Sequence, residues 1–408
     1  MLKPVRSRSC AFAALTIAFL AAPRLTLAQG AEAPKVVTPT LDFSGVVLGN
    51  FRYAYDDATK AANGGQAANK FDIERVYLTF KMPAGQDGSI RVTTDVFNGD
   101  QSGASYYKGW AVRLKYAYFQ YNFLHNIGGS KGFDAVARVG MLHTSVIEHE
   151  ETFWPRYVSQ TAFERAGFNS SSDLGIAGLL TLPNKWGELY ATVVNGPGYA
   201  AAENDPYKDY SARLSLTPFG TRDNILKTFT VSPYFSYGHT GSKFIAGGAG
   251  QVGPVTDGNT KNRQGVFVGL KDRRLTLGGE WGQRTETQEL GANTDANPRS
   301  TYDNTGTLTS GFIVVRPFEL FADDPKQHSP FGLIARVDNF KPYSDQRSAG
   351  PLTGTQSTSS STQLIIAGLF YELNSKATFA LDFQNLKPQS GSTQVESKVL
   401  FAHWQVAF

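Results

Sequence analysis

Val399-Leu400-Phe401-Ala402-His403-Trp404-Gln405-Val406-Ala407-Phe408 is the last stretch of the sequence. Leu400, Ala402, Trp404, Val406 and Phe408 share one parity; Val399, Phe401, His403, Gln405 and Ala407 share the other. Successive side chains of a β-strand point to opposite faces. One face of this segment is therefore apolar along its length, the other is mixed, and the strand ends on an aromatic. Two architectures accommodate such a strand: an edge of a soluble sandwich, and a strand closing a membrane-embedded barrel. The rest of the chain separates them.

The N-terminus reads as a processing segment. Lys3, Arg6 and Arg8 form a positive region, Ala11 to Ala22 is apolar, and Thr26-Leu27-Ala28 supplies a small-x-small cleavage site. Residues 1–28 are expected to be a cleaved signal peptide, with 29–40 a short periplasmic segment and 41–408 the folded barrel. The apolar stretch is too short to cross a bilayer as a helix. Cys10, the single cysteine, precedes it, so lipid anchoring, a disulfide framework and a thiolate metal site are not expected. Removing Lys3, Arg6, Arg8 and Arg24 from the 39 basic residues leaves them level with the 35 acidic ones. Whole-chain charge therefore gives no reason to expect a nucleic-acid partner.

Beyond Ala28 no run of 18 apolar residues occurs. Period-two segments recur instead. From Leu41 to Tyr55 the odd positions are Leu41, Phe43, Gly45, Val47, Gly49, Phe51, Tyr53 and Tyr55, facing Asp42, Ser44, Asn50 and Arg52. Trp110, Val112, Leu114, Tyr116 and Tyr118 read as one apolar face opposite Arg113 and Lys115. Ala377, Phe379, Leu381 and Phe383 oppose Thr378 and Asp382. The pattern predicts an all-β fold of about sixteen strands: a transmembrane, antiparallel, up-and-down β-barrel. The expected strands lie near 41–55, 70–82, 89–98, 108–122, 133–142, 173–182, 187–195, 209–218, 228–237, 262–270, 274–284, 307–315, 330–340, 362–373, 377–385 and 396–408.

The connections alternate in length. Tight turns are read at Pro83 to Gly88, Pro183 to Trp186, Lys271 to Arg273 and Asn374 to Lys376. Between them lie long polar stretches such as Asp56 to Asn69, Gly238 to Lys261, Thr285 to Gly306 and Lys341 to Ser361. Short turns at one rim and long loops at the other are the habit of outer-membrane barrels; a sandwich has no reason for it. Arg316 to Ser329 is a long exception. Closure also pairs every strand edge, which a bilayer demands.

Several motifs resemble those of the porin O and P family, the phosphate-selective porins of Gram-negative bacteria. They are Phe71-Asp72-Ile73-Glu74-Arg75-Val76-Tyr77-Leu78, Val194-Asn195-Gly196, the Arg213-Leu214-Ser215-Leu216-Thr217-Pro218-Phe219 run, Gly279-Glu280-Trp281, and Gly368-Leu369-Phe370-Tyr371-Glu372-Leu373-Asn374. The resemblance spreads over most of residues 41–408. It implies a sixteen-stranded barrel, a homotrimer, an inward-folded third loop, and a terminal Phe408 read by the barrel-assembly machinery. Phosphate-selective members place lysines at the constriction, and residues 143–172 contain none.

For a pore, function lies in lumen charges and a constriction. The lumen parity collects Arg52, Arg75, Arg91, Arg113, Lys115, Arg138, Arg213 and Arg336 as pore-lining bases, with Glu280 and Asp382 among the acids. The loop near 143–172 is the candidate constriction, with Glu148, His149, Glu150, Glu151, Arg156, Glu164 and Arg165. A basic wall facing an acidic loop would set a transverse field and guide anions, phosphate-like ones included. A wet lumen whose charges simply pair is the plainer reading. His149 among three glutamates is read as part of an acidic loop, since a metal site needs converging ligands of fixed geometry. No nucleophile elbow, zinc-protease helix or P-loop is present. The expectation is a non-enzymatic outer-membrane porin, without cofactor or metal, passing small hydrophilic solutes or ions by diffusion. The alternatives are a barrel hydrolase or an adhesin with a blocked lumen.

Overall fold

The computed structural model describes residues 40–98, 109–129, 132–203, 205–322, 327–342, 361–389, 392 and 394–408. Residues 1–28, read from the sequence as a signal peptide, and residues 29–39 lie outside the described residues. Sixteen strands are laid down in order: β1 Asp42–Ala54, β2 Ala68–Pro83, β3 Gly88–Asn98, β4 Trp110–Ile127, β5 Phe133–His143, β6 Ser172–Thr181, β7 Gly187–Val194, β8 Asp209–Leu216 and β9 Thr230–Tyr237. There follow β10 Asn259–Lys271, β11 Leu275–Leu290, β12 Ser300–Val315, β13 Phe331–Lys341, β14 Thr362–Asn374, β15 Ala377–Pro388 and β16 Ser397–Ala407. A two-residue piece, His239–Thr240, prolongs β9 past Gly238 in the same register against β10.

Each strand pairs antiparallel with the next, and β1 pairs with β16 from Val46↔Ala407 to Ala54↔Val399. The sheet is therefore a closed, sixteen-stranded up-and-down barrel, as expected. Closure leaves no unpaired edge for lipid to face. The last residue completes the ring: the Phe408 N–H donates to the Gly45 carbonyl at 3.0 Å, and the Gly45 N–H donates back at 2.9 Å.

The alternation in sequence becomes an inside and an outside. Phe43, Phe71, Val112, Leu114, Val139, Ile176, Phe235, Leu277, Leu333, Leu381 and Val406 are all exposed. A band of exposed apolar residues this extensive fits hydrocarbon rather than water. No described helix is long and apolar enough to cross a membrane. The turn at Pro183–Lys185 is tight, with Asn184 at φ 53 and Lys185 at φ 59. Such left-handed values suit Asn better than most residues.

Two features depart from the sequence reading. Strands β11 and β12 pair from Leu275↔Val315 up to Leu290↔Ser300, so much of the stretch read as a loop from Thr285 to Gly306 is ladder. Thr285–Glu289 is polar on both faces, and hydrophobic alternation cannot reveal such a strand. The apolar face drawn through Tyr116 and Tyr118 is a correction. Thr93 pairs with Tyr116 but Thr94 pairs with Leu114, leaving Lys115 as an unpaired bulge residue. The bulge switches parity. Val112 and Leu114 face outward, whereas Tyr116 and Tyr118 are 4% and 8% exposed and lie inside. A second bulge leaves Glu74 unpaired between Leu48↔Arg75 and Gly49↔Ile73.

Candidate functional site

The inner wall of β1–β5 is basic. Arg75 and Arg113 both reach the fully buried carboxylate of Asp95, at 3.4 and 3.0 Å. Arg113 also lies between two rings, 4.1 Å from Phe97 and 4.4 Å from Tyr199. The Lys115 ammonium sits 4.2 Å over the Tyr77 ring. Arg91 lies over Tyr116 and shares a 3.2 Å hydrogen bond with the His143 Nε2. Arg138 donates to Gln120 and stacks near Tyr118. Arg52 is exposed near the end of β1. Aromatic faces thus stabilise cations on a wall with few carboxylates.

The connection from β5 to β6, residues 144–171, packs against the inner faces of the other strands. Its short helices are Ile147–Glu151 and Ala162–Arg165, the second capped by the Thr161 hydroxyl. Trp154 and Val158 enter a cluster with Phe267, Phe312, Ile334, Leu364, Ile366 and Phe370. Val146, Ile147, Phe163 and Phe168 enter another with Tyr234 and Leu308. These wall residues occupy lumen parity yet are apolar, because the connection covers them. Glycines give its rings room: a Cβ on Gly282 would meet Phe163 at 2.2 Å, and one on Gly269 would meet Phe153 at 2.7 Å.

Four wall arginines fasten the same segment by its carbonyls. Arg213 donates to Ser145 at 2.6 Å, Arg336 to Gln160 at 2.7 Å, Arg263 to Phe168 at 3.0 Å and Arg284 to Ala166 at 3.3 Å. A segment with little regular structure carries carbonyls that need partners when buried. The guanidinium supplies several donors in a fixed fork.

The structure divides the sequence-derived residues into two groups. Arg52, Arg75, Arg91, Arg113, Lys115 and Arg138 lie together on one wall. Arg213 and Arg336 are 6% and 2% exposed and hold the 144–171 segment; they do not line open space. Glu280 and Asp382 are likewise buried, Asp382 against His403 at 2.8 Å.

In the segment, Glu148 pairs with His143 and lies 4.0 Å from Arg91. Glu151 and Glu164 flank Arg156 at 3.6 and 4.0 Å. Glu150, His149 and Arg165 turn toward the wall instead. Arg165 reaches Asp338 at 3.1 Å. His149 shares a 2.9 Å hydrogen bond with Ser232 and meets Phe153 and Phe267 edge-on. Burial pushes its pKa down to about 3. Burial, and then the adjacent Glu280 carboxylate, hold Glu150 well above the usual carboxylate range. No group of three metal-ligating side chains exists among the described residues.

Sequence reasoning missed Glu74 and Arg263. The signal for Glu74 was present: Phe71 and Ile73 are odd, whereas Val76, Leu78 and Phe80 are even. That phase change marks the bulge.

A scan against protein-family models finds no match, nor does a search of curated proteins. Solved structures do resemble it. The outer membrane channel DcaP of Acinetobacter baumannii superposes with a TM-score of 0.62 at 12% identity, over 91% of this chain and 97% of that one. An anion-selective porin from Comamonas acidovorans gives 0.58 at 10% identity, over 91% and 100%. OmpT of Vibrio cholerae, in its trimer form, gives 0.53 at 9% identity, over 91% and 99%. The fold is that of the outer-membrane porins.

Proposed function

We propose that this chain is an outer-membrane porin, a channel through which small hydrophilic solutes or ions diffuse passively. The observation that carries this reading is the facing of two charged surfaces inside a closed barrel. The wall of β1–β5 presents Arg52, Arg75, Arg91, Arg113 and Arg138, with Lys115 buried against Tyr77; the 144–171 segment presents Glu148, Glu151 and Glu164. Charged groups at close quarters set a pore's selectivity through the field they make. The segment acts as the constriction loop.

Anions, phosphate-like ones included, are the favoured solutes. Support comes from Arg52 and Arg138, which have no carboxylate within salt-bridge distance among the described residues. Chloride would follow them along the wall. The test is the reversal potential of purified protein in a planar bilayer under a KCl gradient. A chloride-favouring potential, reduced by Arg138→Gln, is expected. A cation-favouring one overturns the anion preference; the absence of conductance from folded protein overturns the channel.

The barrel works as a homotrimer in the outer membrane, reached through the cleaved 1–28 signal. The trimer form of the Vibrio cholerae protein and the broad exposed apolar face support this. Detergent-solubilised mass should be that of three barrels.

A further inference from the structure

We propose that Glu74 and Arg156 form an ionic bar across the lumen that sets both the width and the charge of the passage. This rests on the channel reading above. Glu74 belongs to the basic wall, where the β2 bulge leaves it outside the ladder pairing. A regular strand would present either Glu74 or Arg75 to the interior; the bulge turns both inward. Arg156 belongs to the segment seated on the opposite wall, between Trp154 and Val158 of the apolar cluster. Its Nη1 donates to the Glu74 carboxylate at 2.9 Å, and the Arg156 side chain is only 12% exposed. The segment is therefore in direct contact with the wall it faces.

The surroundings make this contact decisive. Trp154, Phe163 and the four arginine tethers fix the rest of the segment, so it cannot retreat as a body. Two cavities adjoin residues 148–157. One, of about 840 Å³, is lined by Glu151, Phe153, Tyr157 and Arg273. The other, of about 460 Å³, is lined by Arg91, Tyr118, Arg138 and Glu148. Arg156 has Glu151 and Glu164 on its own segment. Without Glu74 it would fall back onto them, and a gap would open beside Lys115 and Tyr77.

Single-channel conductance and reversal potential of Glu74→Gln and Arg156→Gln test the bar, with heat-modifiable gel mobility reporting intact barrels. Both variants are expected to raise conductance by about twofold or more, because each removes one half of the bar. Their reversal potentials should shift in opposite directions, toward anions for Glu74→Gln and toward cations for Arg156→Gln. The exchanged pair Glu74→Arg with Arg156→Glu should return conductance toward that of the unaltered protein. A silent unaltered protein beside conducting variants also supports the bar, as a complete block. If the unaltered channel conducts and both variants match its conductance, the bar is overturned while the channel reading stands, even where the potentials shift. Silence from all the folded proteins overturns both.

Discussion

Phe408 and Gly45 exchange two backbone hydrogen bonds, of 2.9 and 3.0 Å, across the seam where the barrel closes. Gly45 has no side chain, and the Phe408 ring lies where one would be: a Cβ there would stand 2.2 Å from it. Four residues further in on each strand, Gly49 makes the same room for Trp404, with a Cβ distance of 2.3 Å. Ring and glycine are thus matched across the one junction made by strands from opposite ends of the sequence.

Gly49→Val keeps this outer face apolar but denies Trp404 its seat. Overpacking of this kind costs about 1–3 kcal/mol. The heat-modifiable transition should fall and the Trp404 fluorescence should change. An unchanged transition would mean that the indole has another resting place.

Trp154→Ala removes the largest ring holding the 144–171 segment. Truncating a buried aromatic costs about 3–5 kcal/mol. The loss should fall on the segment, since the barrel ladder does not involve Trp154. Protease cleavage within 144–171 should appear while the barrel remains heat-modifiable. A barrel that unfolds as a whole would contradict this separation.

Arg336 grips Asp338 through two nitrogens, at 2.8 and 2.7 Å, and reaches the Gln160 carbonyl with its third. Arg165 also reaches Asp338 at 3.1 Å, so removing Arg336 leaves that carboxylate partly compensated, and the cost should fall at the lower end of the about 3–5 kcal/mol of a broken buried ion pair. Arg336→Met should be strongly destabilising, and Arg336→Lys should not rescue it, since an ammonium cannot make the fork. Arg336→Met with Asp338→Asn should recover part of the loss. Equal instability of the single and double variants would assign the cost to the lost Gln160 contact.

Glu150 and His149 give docking of the segment opposite pH slopes. Glu150 has its pKa raised by burial and by Glu280, with Tyr234 and Arg336 also nearby. The docked state thus holds its proton more tightly than the released one. This group's contribution is fully favourable below about 4.3 and is lost as pH rises through the docked-state pKa. His149 is held neutral when docked, at about 3. The released segment takes up a proton near 6.5, so docking weakens as pH falls below that value. Glu150→Gln should therefore slow proteolysis of 144–171 at pH 8 and change little at pH 4. Faster cleavage at pH 8 would show that the ionised carboxylate is the stabilising form.

Barrel class and strand number were legible because alternation is a local property. A lipid-facing residue must be apolar whatever its neighbours, so Phe43, Ile176, Leu333 and Leu381 each declare a face. The polar ends of β11 and β12 were not legible, because beyond the bilayer both faces meet water and the hydrophobic signal disappears. The bulges at Glu74 and Lys115 were legible only as a phase change, and the reading that kept Tyr116 and Tyr118 with Leu114 passed over it.

The candidate site divides in the same way. Sequence placed arginines of the first strands on the lumen parity; regular β-strand geometry carries that reading for Arg52, Arg91 and Arg113, whereas for Arg75 the bulge decides it. Sequence alone could not decide which lumen arginines face open space. Arg138 and Arg336 look alike as lumen-facing arginines on their strands. Only the tertiary structure lays residues 144–171 over Arg336, turning it from a pore charge into a tether, and brings Arg156 to Glu74. The seat of that segment depends on Phe267, Phe312, Ile366 and Gly282, on strands remote from it in sequence. Apolar burial against them, not local propensity, selects which charges remain in the passage.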